Sequence, residues 1–194
     1  NILANTMAFG NLIVRNPPAP GETIGSISHV LTTWQNLTVG EYKGYDFNIR
    51  WVLPRNNLGE FRMDLSATYL DSVEGTVATG ALVDSDGNYN TPLTRGAGTL
   101  AWKNRDWAAA LHVTYIGSYS VLNSGRTGLP DIKRQVVYSP QIAYSGFWNS
   151  TITLGVRNVF NDDPPIDPAD SKLVNENMNL VEPAYWYVRW SKEW

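Results

Sequence analysis

Two acidic stretches and two histidines are the residues of this chain that could best bind a metal ion. The stretch "DSDGNY" (84–89) places Asp84 and Asp86 at alternate positions before a glycine, as a calcium loop does. It lacks a third acidic ligand at the next alternate position and a distal glutamate, so we expect a turn built on Asp-Gly, with calcium as the alternative. Because His29 and His112 are far apart and the chain has no cysteine, we expect no metal site and no cofactor.

The second acidic stretch, "NDDPPIDPAD" (161–170), combines four Asp with three Pro. We expect a solvated loop that proline stiffens, with binding of a ligand or cation as the alternative. The loop residues that we consider candidates for ligand contact are Asp84, Asp86, Arg126, Asp162 and Asp163.

The sequence contains no arrangement that is typical of an enzyme. It has no Ser-His-Asp order, no paired carboxylates with a cleft and no glycine-rich phosphate loop. The net charge of −3 gives no basic surface for nucleic acid. We therefore expect neither catalysis nor nucleic-acid binding.

Alternation of apolar and polar residues dominates the chain. In "YDFNIRWVL" (45–53) and "EFRMDLSATYL" (60–70), every second residue is apolar, and this period predicts half-buried β-strands. The predicted strands are 26–38, 43–53, 60–71, 94–103, 107–118, 134–145, 150–160 and 183–194. The register of 26–38 is ambiguous because apolar residues occupy both phases, and Pro140 predicts a bulge or break because it removes a ladder donor.

The connections between the predicted strands alternate between short and long. The short turns are 54–59, 103–106 and 146–149, and the long Gly- and Pro-rich segments are 71–92, 117–133 and 161–181. Loops of that length are uncommon in compact soluble domains. Short turns at one end and long loops at the other are typical of an outer-membrane barrel, with the short turns on the periplasmic side.

The two phases of the strands predict which face contacts lipid. Eight Trp and ten Tyr are present, and aromatic residues cluster toward strand ends, as in the two aromatic girdles of membrane barrels. The residues that we assign to the lipid face or girdles are Trp51, Trp107, Trp186, Trp190 and Trp194. A charge at the bilayer midplane would cost about 2–4 kcal/mol, and in the clear strands this phase carries only Lys192, near the chain end.

The opposite phase is polar and is predicted to face the lumen. The residues that we assign to this polar wall are Arg50, Arg62, Asp64, His112, Arg157 and Arg189. We expect these charges to pair with one another along the wall, with binding of an anionic ligand as the alternative. His112 is expected to be a hydrogen-bonded wall residue.

The start of the chain, "NILANTMAFGNLIVR" (1–15), has no charged region and no cleavage site of a signal peptide. We therefore interpret residues 1–25 as an internal lead-in, with a preceding strand and turn, and residues 26–194 as one barrel domain. Whether the chain is a fragment, a split subunit or a complete protein stays open.

Three segments resemble TonB-dependent outer-membrane receptors. The stretch "LGVRNVFNDDPP" (154–165) is similar to the penultimate strand of that family. The stretches "NLTVGEYKGYDFNIRW" (36–51) and "GEFRMDLSATYLDS" (59–72) resemble earlier strands in the same order, and the chain ends on an aromatic residue as family members do. The resemblance covers most of residues 10–194.

The resemblance implies an antiparallel transmembrane β-barrel of about 22 strands, of which this chain would supply the last eight. It implies localisation in the bacterial outer membrane and energised uptake of a scarce bulky ligand such as a ferric siderophore, a cobamide or a glycan. The implied partners are the lipid bilayer, the rest of the barrel with its plug, TonB through that plug, and the ligand.

Two other readings stay open at this point. The chain could close alone as a free-standing eight-stranded outer-membrane barrel with an adhesive or structural role. It could also be a soluble lipocalin-like binder or a barrel enzyme of the outer-membrane lipase type.

Overall fold

The computed structural model describes residues 10–31, 40–76, 82–84, 91–121 and 128–193, with the backbone alone at 76 and 82–84. In these ranges the chain is all-β, apart from one short 3-10 helix, Gly10–Leu12. The strands are β1 Ile13–Arg15, β2 Ile27–Val30, β3 Gly40–Val52, β4 Glu60–Thr76, β5 Leu82–Asp84, β6 Thr94–Asn104, β7 Trp107–Ile116, β8 Gln135–Phe147, β9 Ser150–Arg157 and β10 Tyr185–Lys192. Among the described residues, no helix is long and apolar enough to cross a membrane.

One antiparallel sheet contains most of the strands, in the order β10-β9-β8-β7-β6-β4-β3. Strand β5 pairs with the end of β4, at residues 74–76. Apart from β5, neighbours in the sheet are neighbours in the sequence, so the sheet is a meander. Seven of the eight predicted strands lie in this sheet, and the all-β prediction is confirmed.

Of the strand predicted at 26–38 the structure describes residues 26–31 and has a strand there, Ile27–Val30, but this strand is not part of the main sheet. β2 pairs with β1 in a separate two-stranded sheet, in which Ile13 is opposite Val30. Arg15 Nη1 donates a 3.0 Å hydrogen bond to the carbonyl oxygen of Gly25, which fastens the connection between the two strands. The segment is apolar on both phases, so its sequence left the pairing undetermined.

The chain divides into two compact units. One comprises the described residues within 1–41 and 74–84, which include the β1–β2 hairpin, and its buried apolar residue is Leu12. The other comprises 42–73 and the described residues within 85–194, which include β6 to β10 and most of β3 and β4. Of the candidate residues described below, Asp84 belongs to the first unit and the others belong to the second.

The alternation of short and long connections is confirmed. Strands β6 and β7 are joined by residues 105–106, and β8 and β9 by residues 148–149. Arg105, Trp148 and Asn149 have positive φ angles of 52°, 46° and 51°, and such angles fit tight hairpin turns. The connections from β7 to β8 and from β9 to β10 are long and lie at the opposite end of the sheet.

The break predicted at Pro140 is present on one side of β8 only. Pro140 is opposite Leu111 in an unbroken ladder with β7, whereas the ladder with β9 stops at Gln141, and a further irregularity of β8 lies between Tyr144 and Phe147. Residues two apart on a strand direct their backbone N–H and C=O groups to the same neighbouring strand, so Tyr138 shows which side Pro140 faces. The Tyr138 carbonyl oxygen accepts a hydrogen bond from the Val159 amide, which follows β9. The missing donor of Pro140 therefore faces β9, and the β8–β9 ladder ends beside it at residue 141, whereas the pairing with β7 continues.

The sheet separates apolar from polar residues across its full width. One apolar row crosses six strands in register and contains Phe61, Trp102, Ala109, Ile142, Leu154 and Val188. These side chains do not form the buried core of the described residues. The core cluster lies in the connections at the long-loop end and consists of Tyr119, Val121 and Ile132.

Candidate functional site

Asp64 is the centre of an ion-pair cluster on the polar face. Its carboxylate accepts hydrogen bonds from Arg50 Nε at 2.7 Å and from Arg62 Nε at 2.6 Å. The Asp64 side chain is one-third exposed and the two guanidinium groups are more exposed than that. Three of the predicted wall residues are thus joined in one cluster.

His112 continues this polar band across the next two strands. Its register partner is Thr99, and Thr99 is the partner of Asp64 on the other side. Thr99 Oγ1 lies 3.0 Å from His112 Nδ1, and Thr114 Oγ1 lies 3.4 Å from His112 Nε2. The imidazole therefore forms hydrogen bonds with hydroxyl groups, as expected.

An open depression of about 400 Å³ borders these residues on the polar face. Its polar lining comprises Asn48, Arg50, Asp64, Ser66, Thr99 and His112. The Arg50, Ser66 and His112 side chains are exposed there and the Asp64 carboxylate is partly exposed, which suits transient hydrogen bonding to a polar molecule. Within the described residues, no group of three or more His, Cys, Asp or Glu side chains is placed to hold a metal ion.

Arg157 and Arg189 lie outside that cluster. Arg189 is 6.0 Å from the centre of the Tyr187 ring, at cation–π distance. Arg157 Nη1 lies 3.3 Å from a carboxylate oxygen of Glu182, which belongs to the connection between β9 and β10. Arg157 thus contacts the long-loop end of the sheet.

The apolar face carries the described tryptophans that were assigned to lipid. Trp51, Trp107, Trp186 and Trp190 are all exposed, and Trp194 lies outside the described residues. Trp107 packs against Tyr144 with ring centres 4.7 Å apart. Phe47 on the first edge strand, β3, is 53% exposed, and Val188 on the other edge strand, β10, is 72% exposed. The apolar face is therefore accessible from one edge of the sheet to the other.

A folded loop core lies at the long-loop end, and the sequence did not predict it. We use "loop core" for Tyr119, Val121 and Ile132 together with the side chains that pack on them, which are Leu129, Ala169 and Met178. Tyr119 and Ile132 also exchange two backbone hydrogen bonds, at 3.1 and 2.9 Å. Asn179 Nδ2 donates to the Tyr119 hydroxyl at 3.1 Å, which ties the β9–β10 connection to the β7–β8 connection.

Asn158 fastens both ends of the β9–β10 connection. Its side chain is 1% exposed and donates from Nδ2 to the carbonyl oxygens of Asp162 and Glu182, at 2.9 and 3.0 Å. Its Oδ1 accepts from the Asp162 amide at 3.0 Å. Gln135 makes a similar pair with Leu180, accepting from its amide and donating to its carbonyl oxygen.

The prediction of a solvated acidic loop at 161–170 is wrong for one of its carboxylates. Asp162 and Asp163 are exposed, as expected, but Asp167 is fully buried. Asp167 Oδ1 accepts from the Ala169 amide at 2.9 Å, which forms a local turn that seats the carboxylate beneath the loop. Ala169, two residues further along the same connection, packs against the loop core.

The other candidate loop residues are only partly described. For Asp84 the structure gives the backbone, which pairs with Glu74. Asp86 and Arg126 lie outside the described residues, as does most of the calcium-like stretch.

Two features of the sequence are consistent with the loop core, although the overall polar composition of the long connections indicates solvent-exposed loops. The two long connections contain isolated apolar or aromatic residues, such as Tyr119, Ile132 and Met178, within otherwise polar stretches. The connection after β9 is also rich in asparagine, a residue that bonds readily to nearby backbone groups. Both features are typical of a loop that packs on itself.

No protein-family model, no curated protein and no solved structure matches this chain. We therefore argue its function from the residues and the geometry.

Proposed function

We propose that this chain forms carboxy-terminal wall strands and surface loops of a TonB-dependent receptor in the bacterial outer membrane. Such a receptor takes up a scarce bulky ligand, such as a ferric siderophore, a cobamide or a glycan. In this proposal the apolar face contacts lipid, the polar face borders the lumen and its plug, and the long loops meet the ligand.

The observation that carries the proposal is the exposed apolar face of the sheet. Soluble monomers rarely expose a contiguous apolar patch larger than a few hundred Å². Here apolar side chains of neighbouring strands lie side by side in register, as Leu154 and Val188 do, and Phe47, Leu154 and Val188 are exposed. Lipid is the solvent that stabilises such a face without a second layer of protein.

Two further features support the same reading. Charged residues such as Arg50, Arg62 and Asp64 lie on the opposite face, where they do not meet hydrocarbon. The short turns lie at one end of the sheet and the long connections at the other, as in outer-membrane barrels. The family itself is proposed from the three sequence segments that resemble it.

We prefer a larger barrel to a free-standing eight-stranded one. The smaller barrel requires pairing between β10 and the segment 26–38. Of that segment the structure describes residues 26–31, and there β2 pairs with β1 and not with β10.

The absence of cysteine makes a direct test of the lipid face simple. Single cysteines at Val188→Cys and Arg189→Cys place a dye on opposite faces of the same strand. We expect the dye at 188, but not at 189, to be quenched by brominated lipid in proteoliposomes. Equal quenching at both sites, or none at 188, would contradict the proposal.

A second measurement addresses the size of the barrel. Intact-complex mass spectrometry in detergent should detect the chain together with further barrel and plug polypeptide of about two-thirds of a receptor. A closed species of this chain alone would favour the free-standing barrel instead.

A further inference from the structure

Four polar side chains are buried together where the β9–β10 connection meets the β7–β8 connection. They are Tyr119, Asp167, Asn175 and Asn179, each at most 5% exposed. Asn179 Nδ2 donates to the Tyr119 hydroxyl, and Asn175 forms a further hydrogen bond with that hydroxyl. Burial is the main cause that raises the pKa of the Tyr119 phenol, and the Asp167 charge raises it further, so the carboxylate lies close to the same hydroxyl.

The backbone of the β9–β10 connection brings Asp167 and Asn179 to the same place. The Asp167 amide donates to the Leu173 carbonyl oxygen at 2.8 Å, which closes one turn. The Asn175 carbonyl oxygen accepts from the Asn179 amide at 2.9 Å, which closes a second turn directly after it. Two side chains that are 12 positions apart in the sequence therefore both reach Tyr119.

Two oxygen atoms of this cluster have no donor. Within the part of the chain that the structure describes, Asp167 Oδ2 and Asn179 Oδ1 are buried and accept no hydrogen bond. The other oxygen of Asp167 already accepts from the Ala169 amide, and the Asn179 side-chain nitrogen already donates to Tyr119. Because an ionised carboxylate and an amide oxygen can only accept, neither of the two oxygens can satisfy the other.

The negative charge of Asp167 needs compensation in addition to a donor. A buried carboxylate is costly unless it is paired, coordinates a metal ion or takes up a proton. The charge of Arg95 reaches the Tyr119 phenol, but the Arg95 side chain is exposed, and it donates no hydrogen bond to Asp167 Oδ2. A water molecule could donate to both oxygens, but it would leave the charge uncompensated. A cation satisfies both oxygens and compensates the charge.

We propose that Asp167 Oδ2 and Asn179 Oδ1 bind one calcium ion. Calcium accepts carboxylate, amide and backbone carbonyl oxygens and water in a flexible geometry, so its site does not require three acidic side chains. With a single carboxylate the binding is weak, with a Kd on the order of 10⁻⁴ to 10⁻³ M, as in extracellular modules. The ion fastens the β9–β10 connection to the β7–β8 connection, because Asn179 also holds Tyr119. This inference does not depend on a membrane location of the sheet.

The test is hydrogen–deuterium exchange of the amides within residues 161–181, measured in calcium and in excess chelator. The protein is purified with any chain that accompanies it. A ligand that binds only the closed form reduces the open fraction by a factor of 1 + [L]/Kd, so free calcium at about ten times Kd should slow exchange about ten-fold. Magnesium should not slow it, because magnesium dehydrates reluctantly and this site is buried. Amides of β6 and β7 are the internal reference and should not respond.

Three variants assign the calcium effect to this site. Asp167→Asn removes the charge with little change of shape, so it should abolish the effect and, in chelator, should exchange more slowly than the wild type, which buries an uncompensated charge. Asp163→Asn removes an exposed carboxylate of the same connection and should keep the full ten-fold effect. Asn179→Asp adds a second carboxylate and should enlarge the effect, because calcium affinity rises with the charge of the ligands.

Three results would overturn the calcium site. The first is equal exchange in calcium and in chelator. The second is protection that increases as the pH falls and does not respond to calcium, because the Asp167 carboxyl group would then hold a proton. The third is a calcium effect that survives in Asp167→Asn, which would place the ion elsewhere on the chain. Each of these results leaves the proposed function intact, because quenching at Val188→Cys tests the lipid face separately.

Discussion

The Tyr187 hydroxyl donates a 2.9 Å hydrogen bond to Oε1 of Gln141, although β9 lies between the strands that carry them. The bond is possible because Gly155 is the β9 residue between them in register. The Tyr187 ring lies over Gly155 and occupies the space where a side chain would be. An aromatic ring that covers a strand glycine in this way stabilises the register of neighbouring strands.

The first prediction is that Gly155→Ala destabilises the sheet by about 1–3 kcal/mol. The added methyl group would overlap the Tyr187 ring, so the ring must move and the bond to Gln141 is lost. The measurement is urea unfolding in detergent micelles, followed by tryptophan fluorescence.

Gly98→Ala is the matched control for that variant. It adds the same methyl group to a strand glycine, but the nearest atom to it is Leu65 Cδ1 at 3.4 Å. We expect a change within about 0.5 kcal/mol. Equal losses for both variants would show that the Tyr187 ring has no special role.

The second prediction concerns Asn158. Its φ is +48°, so Asn158→Gly keeps the backbone unstrained and removes only the side chain. Partly buried hydrogen bonds to the backbone of Asp162 and Glu182 are then lost, which costs about 1–3 kcal/mol in total. We expect faster hydrogen–deuterium exchange and proteolysis within residues 159–184, with the strands unchanged.

Two companion variants make that result specific. Asn158→Ala should be more destabilising than Asn158→Gly, because alanine adds strain at a positive φ. Asp163→Ala, at an exposed site of the same connection, should alter stability by no more than about 0.5 kcal/mol. Unchanged exchange in Asn158→Gly would contradict a fastening role for this residue.

The third prediction is a pH dependence of the loop core. Burial raises the pKa of the Tyr119 phenol above its ordinary value of about 10. Above that pH the unfolded chain releases a proton that the folded chain retains, so stability falls as pH rises. We expect the urea midpoint for proteolytic release of residues 117–133 to decrease between pH 9.5 and about 11.

Tyr119→Phe removes the ionising group and tests the assignment. It should lower stability at neutral pH, because the Asn179 amide loses its acceptor, and it should flatten the pH dependence. Tyr185→Phe, at an exposed tyrosine of β10, should leave the pH dependence as it is. A slope in Tyr119→Phe equal to that of the wild type would assign the effect to another group.

The strands of the main sheet were predictable because their residues alternate. In 60–70 and 107–115 one face is apolar throughout, so a slip by one residue would reverse every side chain, and the register follows from the pattern. Pairing among the charges of the polar face was expected, and the structure pairs Arg62 with Asp64.

The loop core and the pairing of β2 could not be predicted in the same way. Tyr119, Ile132 and Asn179 are brought together by long connections, and no local periodicity records a contact between residues 60 positions apart. For Asp167 the composition of its neighbours indicated solvent, but the tertiary packing decided its burial. Such contacts depend on the whole connection and not on a repeat within it.

The fourth prediction is that Asp64→Asn alters anion binding more than it alters stability. Arg50 and Arg62 both pair with Asp64, but these side chains are largely exposed, and exposed ion pairs contribute about 0–1 kcal/mol. Removal of the carboxylate charge leaves two guanidinium groups near His112 on the polar face. We therefore expect a stability change below about 1 kcal/mol and tighter binding of pyrophosphate, measured by calorimetry at low salt.

Glu60→Gln, which removes the same charge beside Arg55, is the control and should not gain affinity. An equal gain in both variants would indicate net charge alone, and a large loss of stability in Asp64→Asn would make the cluster structural.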